Sequence, residues 1–108
     1  LMVESDLDKN YLDFTRKIVY GVANKQKQID HVISQCATER HVEDISSLDR
    51  CILRMGILEL IDFPETPPKV VINEAVELAR IYGSENSYKF VNGVLGTVLS
   101  NLKIKDKC

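Results

Sequence analysis

The sequence predicts an all-α fold, a compact helical bundle formed by a single domain. Apolar residues recur at steps of three and four along most of the chain, and this spacing places them on one face of a helix. No segment shows the alternation of apolar and polar residues that marks a half-buried strand. The 108 residues, of which 44% are hydrophobic and 28% charged, suit one small globular domain with one core.

The N-terminal part carries two apolar stripes. The first predicts a helix over about 8–24 and contains Leu7, Tyr11, Phe14, Ile18 and Val22. The second predicts a shorter helix and contains Ile29, Val32, Ile33 and Cys36. Because a polar bend near Lys25 and Lys27 separates the stripes, we expect a helical hairpin.

A third helix is predicted to begin at Ser46 or Ser47, either of which can act as its N-cap. The residues that follow are apolar on nearly every face, so this helix should be central and buried. It should end near Phe63, because the prolines at 64, 67 and 68 cannot continue the helical hydrogen bonds.

Arg54 interrupts this apolar helix, and a guanidinium in such a position needs hydrogen-bond partners. It is either a structural ion-pair residue, with Glu59 or Glu74 as candidate partners, or a surface anchor. We favour the ion pair.

Two further helices complete the predicted bundle. Pro68 can occupy the first turn of the fourth helix, and Gly83 is a natural C-cap. Ser84 is then expected to cap the fifth helix, and Gly93 to let a neighbouring helix come close. The core stripe of the fifth helix contains Val91, Val94, Leu95, Val98 and Leu102.

Charge and hydropathy limit the function classes. The formal net charge is −2, so the chain lacks the overall positive field of a typical nucleic-acid binder, and any RNA contact must be local. No apolar run approaches the length of about 18 residues that a membrane span needs, and no signal peptide is evident. We therefore expect a cytoplasmic protein.

The sequence contains no pattern that predicts an enzyme or a bound cofactor. Its five glycines never form a phosphate-binding loop. His31, Cys36 and His41 are five residues apart, which would scatter them around a helix axis, so we expect no metal site. The remaining cysteines, Cys51 and Cys108, form no C-x-x-C pair, and all three are expected to be reduced thiols.

Two stretches resemble the NusB family of transcription antitermination factors. They are LDRCILRMGILEL, Leu48–Leu60, and PKVVINEAVELARIYGSENSYKFVNGVLG, Pro68–Gly96. The resemblance implies a non-enzymatic adaptor with two small helical bundles at an angle. Residues 1–108 would form one NusB-like domain, with 1–24 as the remnant of the N-terminal bundle and 25–108 as the C-terminal bundle.

The family's known role implies the partners. Such proteins pair with NusE, a small-subunit ribosomal protein, and the pair binds the boxA element of nascent RNA. This holds the RNA near the transcription elongation complex and supports synthesis of ribosomal RNA.

The resemblance also implies site residues. Asn86 and Phe90 match positions near the turn before the last helix that approach RNA, and Lys69 matches a basic position near the same surface. Phe90 could alternatively be ordinary core packing, and Lys69 an unremarkable exposed lysine. Many members carry an acid where Asn86 stands, so the amide would remove a negative charge beside RNA. Asp49 matches an acidic residue that faces NusE in the family. Alternatively, it is an exposed charge near the start of a helix, where a carboxylate interacts favourably with the helix dipole.

Family members begin with an arginine-rich segment that leads into a first helix, and neither precedes Leu1 here. We therefore expect the chain to be part of a longer product, to expose apolar surface on the 8–24 helix, and to bind RNA weakly alone. One alternative is a NusB-like domain attached to a ribosomal RNA cytosine methyltransferase. Another is a helical module that forms a homodimer through the former RNA surface.

Overall fold

The computed structural model describes the backbone of residues 5–107 and the side chains of residues 12–103. Within this part the chain forms four α-helices and a short 3-10 helix, and no strand. The α-helices are α1, Ser5–Cys36; α2, Ser47–Asp62; α3, Pro68–Tyr82; and α4, Ser87–Lys107. The 3-10 helix is Val42–Asp44. The predicted all-α fold is confirmed.

Helix α1 contains both predicted N-terminal helices, joined by a kink at one residue. Lys25 has φ −114° and ψ 16°, outside the helical region, while the residues on either side of it are helical. An antiparallel hairpin needs a loop of about two to five residues. The bend therefore lies where the sequence predicts it, but the predicted hairpin is wrong.

Helix α2 is the central element, packed against α1, α3 and α4. Its N-cap is Ser46, whose hydroxyl oxygen accepts a hydrogen bond from the Asp49 amide at 3.2 Å. Its inward residues are almost fully buried and belong to one core cluster with residues of α1, α3 and α4: Ile52, Leu53, Ile57 and Leu58. Each buried side chain of this size contributes about 1.5–3 kcal/mol relative to exposure. The predicted central third helix is confirmed.

Two glycines bring helices close to α2. A Cβ on Gly21 of α1 would lie 2.7 Å from a methyl carbon of Leu58, and one on Gly56 would lie 3.0 Å from Leu95 of α4. Gly93 does not have this role, because a Cβ there would meet nothing within 4 Å. The expectation that Gly93 admits a neighbouring helix is wrong, since it faces outward from α4.

Arg54 forms the predicted structural ion pair, but with a different acid. Its Nε and Nη2 donate to Oδ1 and Oδ2 of Asp30 at 2.8 and 2.9 Å, and this hydrogen-bonded carboxylate raises the pKa of Arg54. Neither Glu59 nor Glu74 is the partner, since α1 and not α3 covers this face of α2. The pair ties α1 to α2 beyond the Lys25 kink.

None of the helices in residues 5–107 combines the length and apolar character that crossing a bilayer requires.

Replacing Asp30 by Asn should lower the free energy of unfolding by about 1.5–3 kcal/mol, because a paired, mostly buried guanidinium would lose its charged acceptor. Asp62→Asn is the matched control: Asp62 also pairs with a lysine of α1, Lys25, but in a more exposed setting, so it should cost under about 1 kcal/mol. Urea denaturation measures both. Equal costs for the two variants would contradict the structural role of the Arg54 pair.

Candidate nucleic-acid interface

The turn between α3 and α4 is built around Gly83. Its amide donates to the carbonyl of Ala79 at 2.9 Å, which closes α3 at the predicted C-cap. The backbone is extended there, with φ −88°, so any residue could adopt it. A Cβ, however, would lie 2.6 Å from both the Ala79 oxygen and the Ser87 hydroxyl oxygen. Glycine is required because the turn packs directly on the start of α4.

Ser87, and not Ser84, organises the start of α4. The helix begins at Ser87, and the predicted cap at Ser84 is wrong because the intervening residues form a turn. The Ser87 hydroxyl donates to Oδ2 of Asp49 at 3.0 Å and accepts from the Ser84 amide at 2.9 Å. Since its one proton is used on Asp49, the Ser84 hydroxyl is the donor in their 3.0 Å contact.

The carboxylate of Asp49 is the final acceptor in this chain of hydrogen bonds. It lies in the first turn of α2 and is only 3% exposed. Its second oxygen, Oδ1, is buried and has no hydrogen-bond partner in the described part of the chain. The expectation of an exposed charge is wrong, because the start of α4 covers it. Its contact with NusE stays a prediction.

The surface over this corner combines aromatic rings with basic side chains. The guanidinium carbon of Arg40 lies 4.3 Å from the centre of the Phe90 ring, and that of Arg80 lies 5.1 Å from the Tyr88 ring. Lys89 is exposed between the two rings. Such stacks are attractive on their own and present a second, outer face to a base.

Asn86 and Phe90 lie together at this corner, as the resemblance implies. Asn86 is exposed and Phe90 is half-buried, and the Phe90 amide donates to the Asn86 carbonyl at 3.2 Å. Phe90 also packs on the edge of the core. Part of the Phe90 side chain therefore packs on the core and the rest is exposed. Its contact with RNA stays a prediction.

Lys69 is exposed but lies in the first turn of α3, whereas Asn86 follows the last turn. A rise of 1.5 Å per residue over the 13 residues from 69 to 82 separates the two ends by about 20 Å. Lys69 therefore lies well away from the turn before α4, and its contact with RNA stays a prediction. An RNA that touches both must run along α3.

An acidic apolar groove occupies another face. It has a volume of about 680 Å³ and lies between α1 and α3, over α2. Apolar side chains lie beside three carboxylates in its lining: Phe14, Ile18, Leu78 and Ile81 with Glu59, Glu74 and Glu77. Burial, and then the neighbouring Glu74, raise the pKa of Glu59. These carboxylates repel phosphate, so the groove does not suit RNA.

The expected apolar surface on the first predicted helix is confirmed, and Phe14 and Val19 of that surface line this groove. Phe14, Val19 and Tyr20 are 42%, 57% and 65% exposed.

Sequence reasoning missed Arg40, Tyr88 and Lys89. The run Tyr88–Lys89–Phe90 is a basic residue between two aromatics, a local signal that could have been used. Arg40 gave no such signal, because its partner Phe90 is 50 residues away and reaches it only through the packing of α4 beside the end of α1.

Comparison with known proteins gives consistent results. The family model described as NusB family matches residues 1–100. The transcription antitermination protein NusB of Roseiflexus castenholzii is 46% identical over 96 residues, which cover 87% of this chain and 68% of that protein. The protein of the same name from Psychromonas ingrahamii is 36% identical over 104 residues, 96% of this chain and 71% of its own.

Two solved structures share the fold. NusB of T. maritima superposes with a TM-score of 0.79 at 33% identity, covering 86% of this chain and 68% of that one. A protein chain from the crystal structure of a plectonemic RNA supercoil gives a TM-score of 0.82 at 26% identity, covering 94% and 76%.

Replacing Ser87 by Ala should lower the free energy of unfolding by about 1–3 kcal/mol, because Asp49 would be buried without its hydrogen-bond donor. Ser100→Ala, at an exposed position of the same helix, should stay within about 0.5 kcal/mol of the unaltered protein. Thermal unfolding followed by circular dichroism measures both. A Ser87 variant as stable as the Ser100 variant would refute the role of this hydrogen bond.

Replacing Glu59 by Gln should stabilise the fold at pH 7 and have little effect near pH 4. The pKa of Glu59 is raised in the folded state, so its ionisation costs stability as the pH rises through that pKa, and Gln removes the cost. Unfolding midpoints of both proteins at the two pH values provide the test. A loss of stability at pH 7 would contradict the assigned environment.

Proposed function

Because this chain belongs to the NusB family, we propose that it acts in the cytoplasm as an RNA-binding transcription antitermination factor that pairs with NusE on boxA RNA. The family is one of transcription antitermination proteins, which are not enzymes. The pair would keep nascent RNA near the elongation complex during ribosomal RNA synthesis.

The observation that carries this proposal is the aromatic and basic corner at the start of α4. A chain with a net charge of −2 can attract RNA only where its cations are concentrated. Arg40 lies over the Phe90 ring and Arg80 over the Tyr88 ring on the two flanks of α4, and Lys89 stands between the two rings in the sequence. Arg80 also pairs with Glu77 at 3.3 Å, so Arg40 and Lys89 are the main cations for RNA. Stacking of unpaired bases on such rings is the usual way in which proteins hold single-stranded RNA.

Asn86 adds to the same surface. It immediately precedes α4, whose first amide groups favour a phosphate at the positive end of the helix dipole. Its uncharged amide places no negative charge beside that phosphate, which supports the role proposed for this position.

The role of Asp49 in NusE binding is proposed to be indirect. Its carboxylate is buried and fixes the corner between α2 and α4, whereas its neighbour Leu48 is 39% exposed and available for contact. NusE would then contact the outer surface of the first turn of α2. A homodimer through the RNA surface stays a prediction.

The alternative hypothesis was a NusB-like domain attached to a ribosomal RNA cytosine methyltransferase. The named relatives do not support it, because they are antitermination proteins.

With NusE present, the protein expressed from its complete reading frame should bind a boxA RNA, and Phe90→Ala should weaken that binding by about 1–3 kcal/mol, the value of one stacked base. Fluorescence anisotropy at fixed salt measures the affinity. Phe63→Ala is the matched control, since Phe63 is also half-buried but lies at the far end of α2, against Phe14.

The control should lose stability without losing RNA affinity. If Phe90→Ala binds RNA as tightly as the unaltered protein, the stacking role is wrong. If NusE and the protein together show no preference for boxA RNA, the proposed function is wrong.

A further inference from the structure

A pocket of about 300 Å³ opens between the end of α1 and the outer face of α4, beside the Phe90 ring. Its lining mixes hydroxyl, charged and apolar groups, including Thr38, Glu39, Lys89, Phe90, Gly93 and Thr97. At the lower end of the size range of ligand pockets, it can take one planar ring system but not a larger ligand.

Gly93 forms part of the wall that α4 contributes to this pocket. A Cβ at this position would meet nothing within 4 Å, so no packing inside the protein requires glycine there. Helix interiors disfavour glycine by about 1 kcal/mol relative to alanine. The missing side chain therefore leaves space on the surface of α4 that no packing among the described residues requires.

Polar groups around the space suit a nucleobase. The Thr97 hydroxyl donates to the Gly93 carbonyl at 3.0 Å, which leaves its oxygen free to accept from a base. Thr38 offers a second hydroxyl on the opposite side. Arg40 lies over Phe90 at 4.3 Å, so a planar guanidinium and an aromatic ring are already stacked beside the pocket.

The charges also fit a ribonucleotide. Lys89 and Glu39 line the pocket with one positive and one negative charge, and Arg40 adds a second positive charge beside it, over the Phe90 ring. The excess positive charge suits the phosphate beside a bound base, while the carboxylate can accept from an exocyclic amino group.

We propose that this pocket receives one unpaired base of the bound RNA, with Arg40 and Phe90 as the stack at its side and Lys89 on the adjoining phosphate. The proposal rests on the proposed function and assigns to Arg40, Lys89 and Gly93 a role in holding a single, defined nucleotide. The corner at Phe90 is then a base-specific site and not only a positive patch.

Gly93→Leu fills the pocket, and Gly96→Leu is its matched control. Both glycines lie in α4 and a Cβ on either meets nothing within 4 Å, but Gly96 does not line the pocket. Both variants should fold, because leucine favours the helix. In anisotropy titrations with NusE and boxA RNA, Gly93→Leu should bind about five- to 150-fold more weakly, the equivalent of one stacked base. Gly96→Leu should bind like the unaltered protein.

A series of RNAs, each with one nucleotide replaced by an abasic one, identifies the base. One abasic position should weaken binding to the unaltered protein and to Gly96→Leu, yet cause no further loss with Gly93→Leu, because the pocket is already closed. Normal affinity of Gly93→Leu, or an abasic penalty of the same size in all three proteins, would overturn the pocket while leaving RNA binding intact. Absence of boxA binding by the unaltered protein with NusE would instead overturn the proposed function.

Discussion

The hydrogen bond from Ser87 to the buried carboxylate of Asp49 is the contact on which the corner of the molecule depends. It joins the first turn of α2 to the first turn of α4 at 3.0 Å, and Gly83 lets the chain pass close enough to form it. Because Oδ1 of Asp49 already lacks a partner in the described residues, breaking this bond would leave both oxygens of a buried carboxylate without a donor. That cost holds α4 in one position. That position brings Phe90 under Arg40, which comes from the loop after α1.

Two faces of the described surface differ in charge, although the ion pair of Arg80 with Glu77 at 3.3 Å joins them. Cations and rings gather where α4 begins, while carboxylates line the apolar groove between α1 and α3. A chain with a small net negative charge can therefore still attract RNA at one face and repel it at another. This separation follows from the fold, because Arg40 and Lys89 are far apart in sequence.

Local patterns predicted most of the fold. Apolar spacing, the Ser46 cap, the prolines and Gly83 placed α2 and α3 within a residue or two, since each depends on near neighbours in the chain. Features that depend on packing between distant segments were missed or misassigned. Asp30 as partner of Arg54, the burial of Asp49 and the stack of Arg40 on Phe90 all depend on which helix covers which. The bend at Lys25 was predicted in the right place but as the loop of a hairpin, because a single non-helical residue and a short polar loop look alike in sequence.

Photo-cross-linking tests the location of the RNA surface most directly. A boxA RNA carrying 4-thiouridine at successive positions would be irradiated with the protein and NusE, and the adducts on this chain mapped by mass spectrometry. If the RNA surface lies at the start of α4, the adducts should be concentrated at residues 38–41 and 86–97. Adducts confined to the acidic groove between α1 and α3, with none at the start of α4, would contradict it.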